Sequence, residues 1–134
     1  MQKKKSTKDN REKRSKRKNL EIAFYENLLK EQPDFVGALI GLGDVYTRKG
    51  YYKEGLEVDK KLVHLKPEDP VVRYNLACSL SLLGKSKEAL EELKNAILLG
   101  YDEFSYILED PDLENLRSLS EFKTFFCKLK KLET

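Results

Sequence analysis

Apolar residues recur along most of this chain at steps of three and four, with charged residues between them. In the stretch DFVGALIGLGDVYTRKG the members of this apolar stripe are Val36, Leu39, Leu42 and Tyr46. The next stretch, YKEGLEVDKKLVHLKP, keeps the helical period and ends before Pro67. The pattern predicts two consecutive amphipathic helices, with Asp34 as the N-cap of the first helix and Gly50 as its C-terminal stop.

The same pattern returns after 34 residues, so that Pro33 corresponds to Pro67 and Gly50 corresponds to Gly84. When the sequence is aligned with itself at this offset, small residues align with small ones and most large apolar residues align with large apolar ones. Pairs that show it are Leu42 with Leu76, Gly43 with Ala77, Gly55 with Ala89, and Ile22 with both Leu56 and Leu90. We therefore predict a half repeat at 20–33 and whole repeats at 34–67 and 68–101. Each unit is a helix pair that buries its apolar face by stacking on its neighbours.

These units resemble the tetratricopeptide repeat. The first whole unit supplies the family's signature positions with Leu39, Leu42, Gly43, Tyr46, Gly55, Leu62 and Pro67, and the second with Leu76, Ala77, Leu80, Ala89, Leu93 and Ala96. Three positions depart from the signature: Asp59 stands where an aromatic residue is usual, Arg73 where tryptophan is common, and Tyr101 where proline closes the unit. The resemblance implies an all-α fold, a right-handed α-solenoid of antiparallel helix pairs.

The stretch 102–134 keeps helical character but loses the repeat register, because Asp110 stands where Leu76 predicts an apolar residue. We predict a divergent C-terminal cap with a short helix at 102–108, a capped turn at DPDLENL and a closing helix at 120–132. An aromatic stripe on the closing helix, Phe122, Phe125 and Phe126 with Leu129, would seal the last repeat.

In the tetratricopeptide family the first helix of each unit lines a concave groove that holds a partner peptide. The resemblance therefore implies a groove for a protein or peptide partner. Its candidate residues are Ile40, Asp44, Thr47, Val71, Tyr74, Asn75, Cys78 and Leu82. Asn75 matches an asparagine that often bonds the peptide backbone, although a bond to a neighbouring helix is an equal alternative.

One subclass of the family binds the acidic tails of chaperones with a clamp of lysine, asparagine and arginine. The matching positions here are Ile40, Asp44, Asn75, Ser105 and Glu109. Only the asparagine agrees, and the two acidic residues would repel a carboxylate. We therefore predict that chaperone tails are not partners. A ligand with apolar side chains and a basic group suits these residues better.

Charge divides the chain into two parts. Residues 1–19, MQKKKSTKDNREKRSKRKN, contain ten Lys or Arg and two acidic residues, a net +8; the whole chain is +3, so the remainder is −5. This basic arm, whether disordered or a helix extension, could bind nucleic acid, the ribosome or an anionic membrane, could occupy the chain's own groove, or could be a solvated terminus. A short repeat array could also form a homo-oligomer.

No enzyme chemistry emerges from the residue types. The chain has two cysteines, Cys78 and Cys127, and one histidine, His64, which suits packing cysteines better than a nucleophile or a zinc site. Asp110, Asp112, Glu114 and Glu121 have calcium-loop spacing, but Asn115 replaces the required glycine and Pro111 intrudes. We predict a non-catalytic module without cofactor or metal. The absence of a visible signal or membrane-spanning stretch makes the cytoplasm the expected location.

Overall fold

The computed structural model describes residues 20–133, and these residues form helices joined by short connections. Helix α1 covers 20–31 of the described chain. It is followed by α2 (Val36–Arg48), α3 (Tyr52–Leu65), α4 (Pro70–Leu82) and α5 (Ser86–Leu98). The C-terminal part contains α6 (Phe104–Glu109), a 3-10 turn (Pro111–Leu113), α7 (Glu114–Arg117) and α8 (Ser120–Glu133). Among the described residues the chain is all-α, as the sequence predicts.

Successive helices pack as antiparallel neighbours. Helix α2 packs on α3, α3 on α4, and α4 on α5, while α7 contacts both α5 and α8. The connections between α2 and α3 and between α4 and α5 each contain a glycine with positive φ, Gly50 at 85° and Gly84 at 76°. These glycines end the preceding helices as the 34-residue spacing predicts, because L-residues rarely adopt this conformation.

The buried residues form two clusters along the stack. One joins α2, α3 and the start of α4 through Leu39, Leu42, Val58, Leu62 and Val72, with Ile22, Tyr25 and Leu29 of α1 packed against it. The other runs from α3 to α8 and includes Leu76, Ala77, Leu80, Ala89, Leu93, Ala96, Ile107, Leu113 and Leu116. The signature positions of the repeat therefore supply much of the core. The division of the chain at residues 33, 67 and 101 stays a prediction.

The C-terminal helices close the second cluster. Phe122 and Phe126 of α8 are buried, and Phe125 and Leu129 pack partly against them, which confirms the predicted aromatic stripe. Cys127 is exposed, so the prediction that it is a packing cysteine is wrong. It follows buried Phe126 on α8, but its own side chain is exposed to solvent.

Two predicted helix ends differ in detail. The N-cap of α2 is Phe35, which makes no side-chain cap; Asp34 instead lies 3.7 Å from the Lys61 ammonium, so its predicted capping role is wrong. The side-chain cap occurs one unit later, where Asp69 accepts hydrogen bonds from the backbone N–H groups of Val71 and Val72. In the described part of the chain, no helix combines the length and apolar character needed to cross a membrane.

Candidate functional site: an acidic cleft

A cleft of about 450 Å³ opens between α2, α4 and the C-terminal segment that begins with α6. Its floor comes from α3. The lining residues are Ile40, Gly41, Gly43, Asp44, Thr47, Asp59, Leu62, Tyr74, Asn75, Cys78, Ser79, Tyr106, Asp110 and Asp112. The volume lies within the range of small-ligand and side-chain pockets. Among the described residues that line it, four are carboxylates and none is a lysine, arginine or histidine.

Helix α2 forms one wall of the cleft. Ile40 is 47% exposed, which leaves a large apolar side chain open to a ligand. Asp44 is also exposed and pairs with Arg48 one turn later, at 2.9 Å. Thr47 is tied to its own helix, because its hydroxyl donates to the Gly43 carbonyl at 2.9 Å. This wall therefore offers an apolar contact and a partly neutralised carboxylate.

The floor carries a buried carboxylate. Asp59 of α3 is only 7% exposed and accepts a short hydrogen bond from the Ser79 hydroxyl of α4. Burial raises the pKa of Asp59 to about 6, and the Ser79 hydrogen bond acts in the opposite direction. The carboxylate packs closely against Gly43 of α2, since a Cβ there would lie 3.4 Å from an Asp59 oxygen. Asp59, which stands where the repeat usually has an aromatic residue, thus places a titratable group under the cleft.

The opposite wall is a hydrogen-bonded network centred on Asp110. The Tyr74 hydroxyl and the Cys78 thiol both donate to one carboxylate oxygen of Asp110, and the other oxygen accepts from the Asp112 backbone N–H at 3.0 Å. The Tyr74 ring stacks on Tyr101, with centroids 4.2 Å apart. The hydrogen bonds from Tyr74 and Cys78 to Asp110 join α4 to the C-terminal cap. This role explains a charged residue at a position where the repeat predicts an apolar one.

The two cleft residues that bond Asp110 are held in their protonated forms. Burial raises the pKa of Cys78, and the charge of Asp110 raises it further. The pKa of Tyr74 is also raised, first by its burial. A thiol with a raised pKa is a poor nucleophile at neutral pH.

Asp112 differs from its neighbours because no described side chain compensates its charge. Among the residues the structure describes, its carboxylate takes part in no hydrogen bond or ion pair, although its backbone N–H bonds Asp110. Burial raises its pKa, and so does the adjacent charge of Asp110. Ligand atoms of Cys78, Asp110 and Asp112 all lie within 4.8 Å of one another. Two carboxylates at this distance repel each other, so a cation between them would be favoured.

The cleft brings together six of the eight residues implied by the family resemblance: Ile40, Asp44, Thr47, Tyr74, Asn75 and Cys78. Val71 lies exposed on α4 outside the cleft lining, and Leu82 is half-buried at the end of that helix. Tyr74 and Cys78 are buried and committed to Asp110, whereas Asn75 is half-buried. His64 is exposed on α3 and is not a lining residue.

Sequence reasoning missed the acidic lining. Asp59 lies on α3, Asp110 between α6 and the 3-10 turn, and Asp112 in that turn. Ser79 and Tyr106 are further lining residues that the sequence did not single out. A signal was available at two of these positions, because Asp59 and Asp110 each stand where the repeat predicts an apolar residue. A charged residue at a core position is stable only with a specific partner, and here the partners are Ser79 and Tyr74.

No family model matches the chain, but several known proteins are similar to parts of it. A chloroplastic protein of Arabidopsis thaliana is 38% identical over 80 residues, 58% of this chain and 24% of its own length. Human Tetratricopeptide repeat protein 13 is 34% identical over 83 residues, 58% of this chain and 10% of its own. TPR repeat-containing thioredoxin TTL4 of Arabidopsis thaliana is 38% identical over 55 residues, 41% of this chain and 8% of its own.

The chain thus spans a quarter or less of the length of these relatives. In three dimensions it is similar to MamA MSR-1 C2, with a TM-score of 0.58 over 82% of this chain and 71% of that one, at 21% identity. That likeness concerns the fold. The 34-residue spacing, the packed helix pairs and the similarity to proteins named for this repeat support a small protein of the tetratricopeptide-repeat type.

Proposed function

We propose that this chain is a non-catalytic interaction module that holds an extended peptide or a helix of a protein partner in the acidic cleft. The observation that carries the proposal is the cleft itself, which opens on α2 and α4, the first helices of the two predicted whole repeats. Its volume of about 450 Å³ accommodates one or two side chains of a partner. Protein interaction is the role that the similarity to tetratricopeptide-repeat proteins supports.

The exposed groups of the cleft fit peptide recognition. Ile40 offers an apolar contact, and Asn75 offers an amide that both donates and accepts hydrogen bonds, as a peptide backbone requires. Tyr74 and Cys78 contribute shape rather than free polar groups, because their hydrogen bonds go to Asp110. The four carboxylates disfavour an acidic tail, in agreement with the expectation that chaperone tails are not partners.

A peptide-display selection against the immobilised chain tests the proposal. Selected peptides should bind Asn75→Ala and Ile40→Ala variants about tenfold more weakly, since each loses one buried contact. Val71→Ala is the matched control, because Val71 is 55% exposed on α4 but lies outside the cleft. Peptides that bind both groove variants as tightly as the parent would contradict a site in the cleft.

The location of the protein stays a prediction. The sequence favours the cytoplasm, whereas the first Arabidopsis thaliana relative is designated chloroplastic in its name. The proposed peptide contacts require no disulfide and no bound cofactor, so they could form in either compartment.

A further inference from the structure

The cleft has a charge that matches one segment of the same chain. Asp44, Asp59, Asp110 and Asp112 line it, and in the part of the chain that the structure describes no basic side chain does. Arg48 at the rim compensates Asp44, but no basic side chain among the described residues forms a salt bridge with the Asp110 or Asp112 carboxylate; the nearby Arg117 guanidinium donates instead to the Asp110 backbone carbonyl, at 2.6 Å. Residues 1–19 carry a net +8, against −5 for the rest of the chain.

The described part of the chain begins close to this cleft. Glu21, at the start of the described part of α1, lies 3.5 Å from the ammonium of Lys49, the residue that follows α2. From Lys49, Asp44 is five residues back along the helix axis, about 7.5 Å at a rise of 1.5 Å per residue. Nineteen residues can span about 60 Å when extended, so the arm is long enough to enter the cleft from this side.

We propose that the basic arm, residues 1–19, binds in the acidic cleft and places a lysine or arginine side chain between Asp110 and Asp112. The contact is intramolecular and competes with any partner for the same groove. The inference rests on the proposed function, since it takes the cleft to be the peptide site and names the cationic segment that fills it.

The cleft offers each part of a basic side chain a suitable contact. The Asp110 and Asp112 carboxylates are close enough to share one ammonium or guanidinium group. Tyr106, 49% exposed in the lining, presents an aromatic ring for a guanidinium plane or a lysine stem. Ile40 on the facing wall can cover the aliphatic part of the same side chain. Electrostatic attraction of this kind weakens as salt screens it.

The test compares the full chain with an arm-neutral variant, in which every lysine and arginine of residues 1–19 is replaced by glutamine. Amide NMR spectra should differ at cleft residues such as Asn75 and Asp112, and 0.5 M NaCl should move the parent spectrum toward that of the variant. A peptide of residues 2–19, added to the arm-neutral variant, should restore the parent shifts. The same peptide with glutamine at its basic positions should not.

Carboxylate variants locate the contact. Asp112→Asn in the arm-neutral chain should weaken binding of the 2–19 peptide about fivefold to tenfold, because one member of the carboxylate pair loses its charge. Glu91→Gln is the matched control, since Glu91 is an exposed carboxylate on α5 outside the cleft. It should leave the affinity within about twofold, the range expected for an exposed charge.

Several outcomes would overturn the proposal. Identical cleft resonances in the parent and the arm-neutral chain would do so, including where the arm proves instead to bind RNA in a salt-dependent way. Shifts that EDTA abolishes would assign the carboxylate pair to a metal ion, and shifts that vanish on dilution would assign the arm to a second copy. If the arm has no effect but selected peptides still need Asn75, the proposed function stands and this inference fails.

Discussion

Neutralising the buried carboxylate beneath the cleft should stabilise this protein. Asp59 is 7% exposed, its hydrogen-bond donor is the Ser79 hydroxyl, and burial raises its pKa to about 6. The Asp59→Asn variant keeps the shape of the side chain and an oxygen that accepts from Ser79. It removes the charge that the folded protein holds away from water, so its effect on stability should depend on pH.

The magnitude follows from the difference between the folded and unfolded pKa. A rise from 3.8 to about 6 corresponds to about 3 kcal/mol, at 1.36 kcal/mol per pH unit. The folded state binds the proton more tightly, so the contribution of Asp59 to stability is fully present below pH 3.8 and is lost as pH rises through 6. Burying the new amide N–H groups costs about 1–2 kcal/mol. We expect a net gain of about 1–2 kcal/mol at pH 7.5 and a loss of similar size at the acidic end.

Urea unfolding followed by circular dichroism at 222 nm measures both values. Titrations at several pH values between 3.5 and 7.5, in 0.5 M NaCl to weaken any contact with the arm, should show the two stability curves crossing. Asp102→Asn is the control, because Asp102 is an exposed aspartate in the loop before α6. Parallel curves for parent and Asp59→Asn, or a variant less stable than the parent at pH 7.5, would refute the reasoning.

Three further predictions concern the packing around the cleft. Tyr74→Phe should lower the free energy of unfolding by about 1–2 kcal/mol in the same urea assay, because Asp110 loses a buried donor; an unchanged midpoint would contradict this bond. Gly84→Ala should cost about 1–2 kcal/mol through its φ of 76° alone, since a Cβ there meets no atom within 4 Å. Of the two thiols, exposed Cys127 should react with Ellman's reagent at once and buried Cys78 only on unfolding, and two fast thiols would refute this.

The sequence predicted those features of the fold that depend on neighbours within one or two helical turns. Leu42 and Leu76 repeat the same position in successive units, and both are buried. Gly50 and Gly84 mark helix ends because their left-handed conformation is a local requirement that glycine meets at low cost. Local periodicity and local stop signals therefore predict the helices without any knowledge of tertiary contacts.

The features that were missed depend on partners far along the chain. Asp110 looks like a break in the apolar pattern until Tyr74, 36 residues away, donates to it. Helix capping also depends on distant residues. Aspartate is a preferred N-cap residue, yet Asp34 forms an ion pair with Lys61 of α3 instead of capping α2. Cys127 lies beside two aromatic residues in sequence, but its position around α8 directs it outward. Residue type alone does not specify such long-range partners.

The position of the acidic residues is itself an argument for a site. Asp59 in a predicted repeat and Asp110 in the C-terminal cap both stand where the repeat pattern predicts an apolar residue, and an apolar residue at either place would avoid the cost of burying a charge. Both nevertheless line the same cleft, where Asp112 adds a carboxylate with no cation among the described residues. Buried charges at positions that the repeat pattern predicts to be apolar lower stability. When several of them line one cavity, a binding site is the expected reason. On this view the gain in stability of Asp59→Asn and the loss of arm binding in Asp112→Asn are two consequences of one feature, a cleft with a charge suited to a cationic guest.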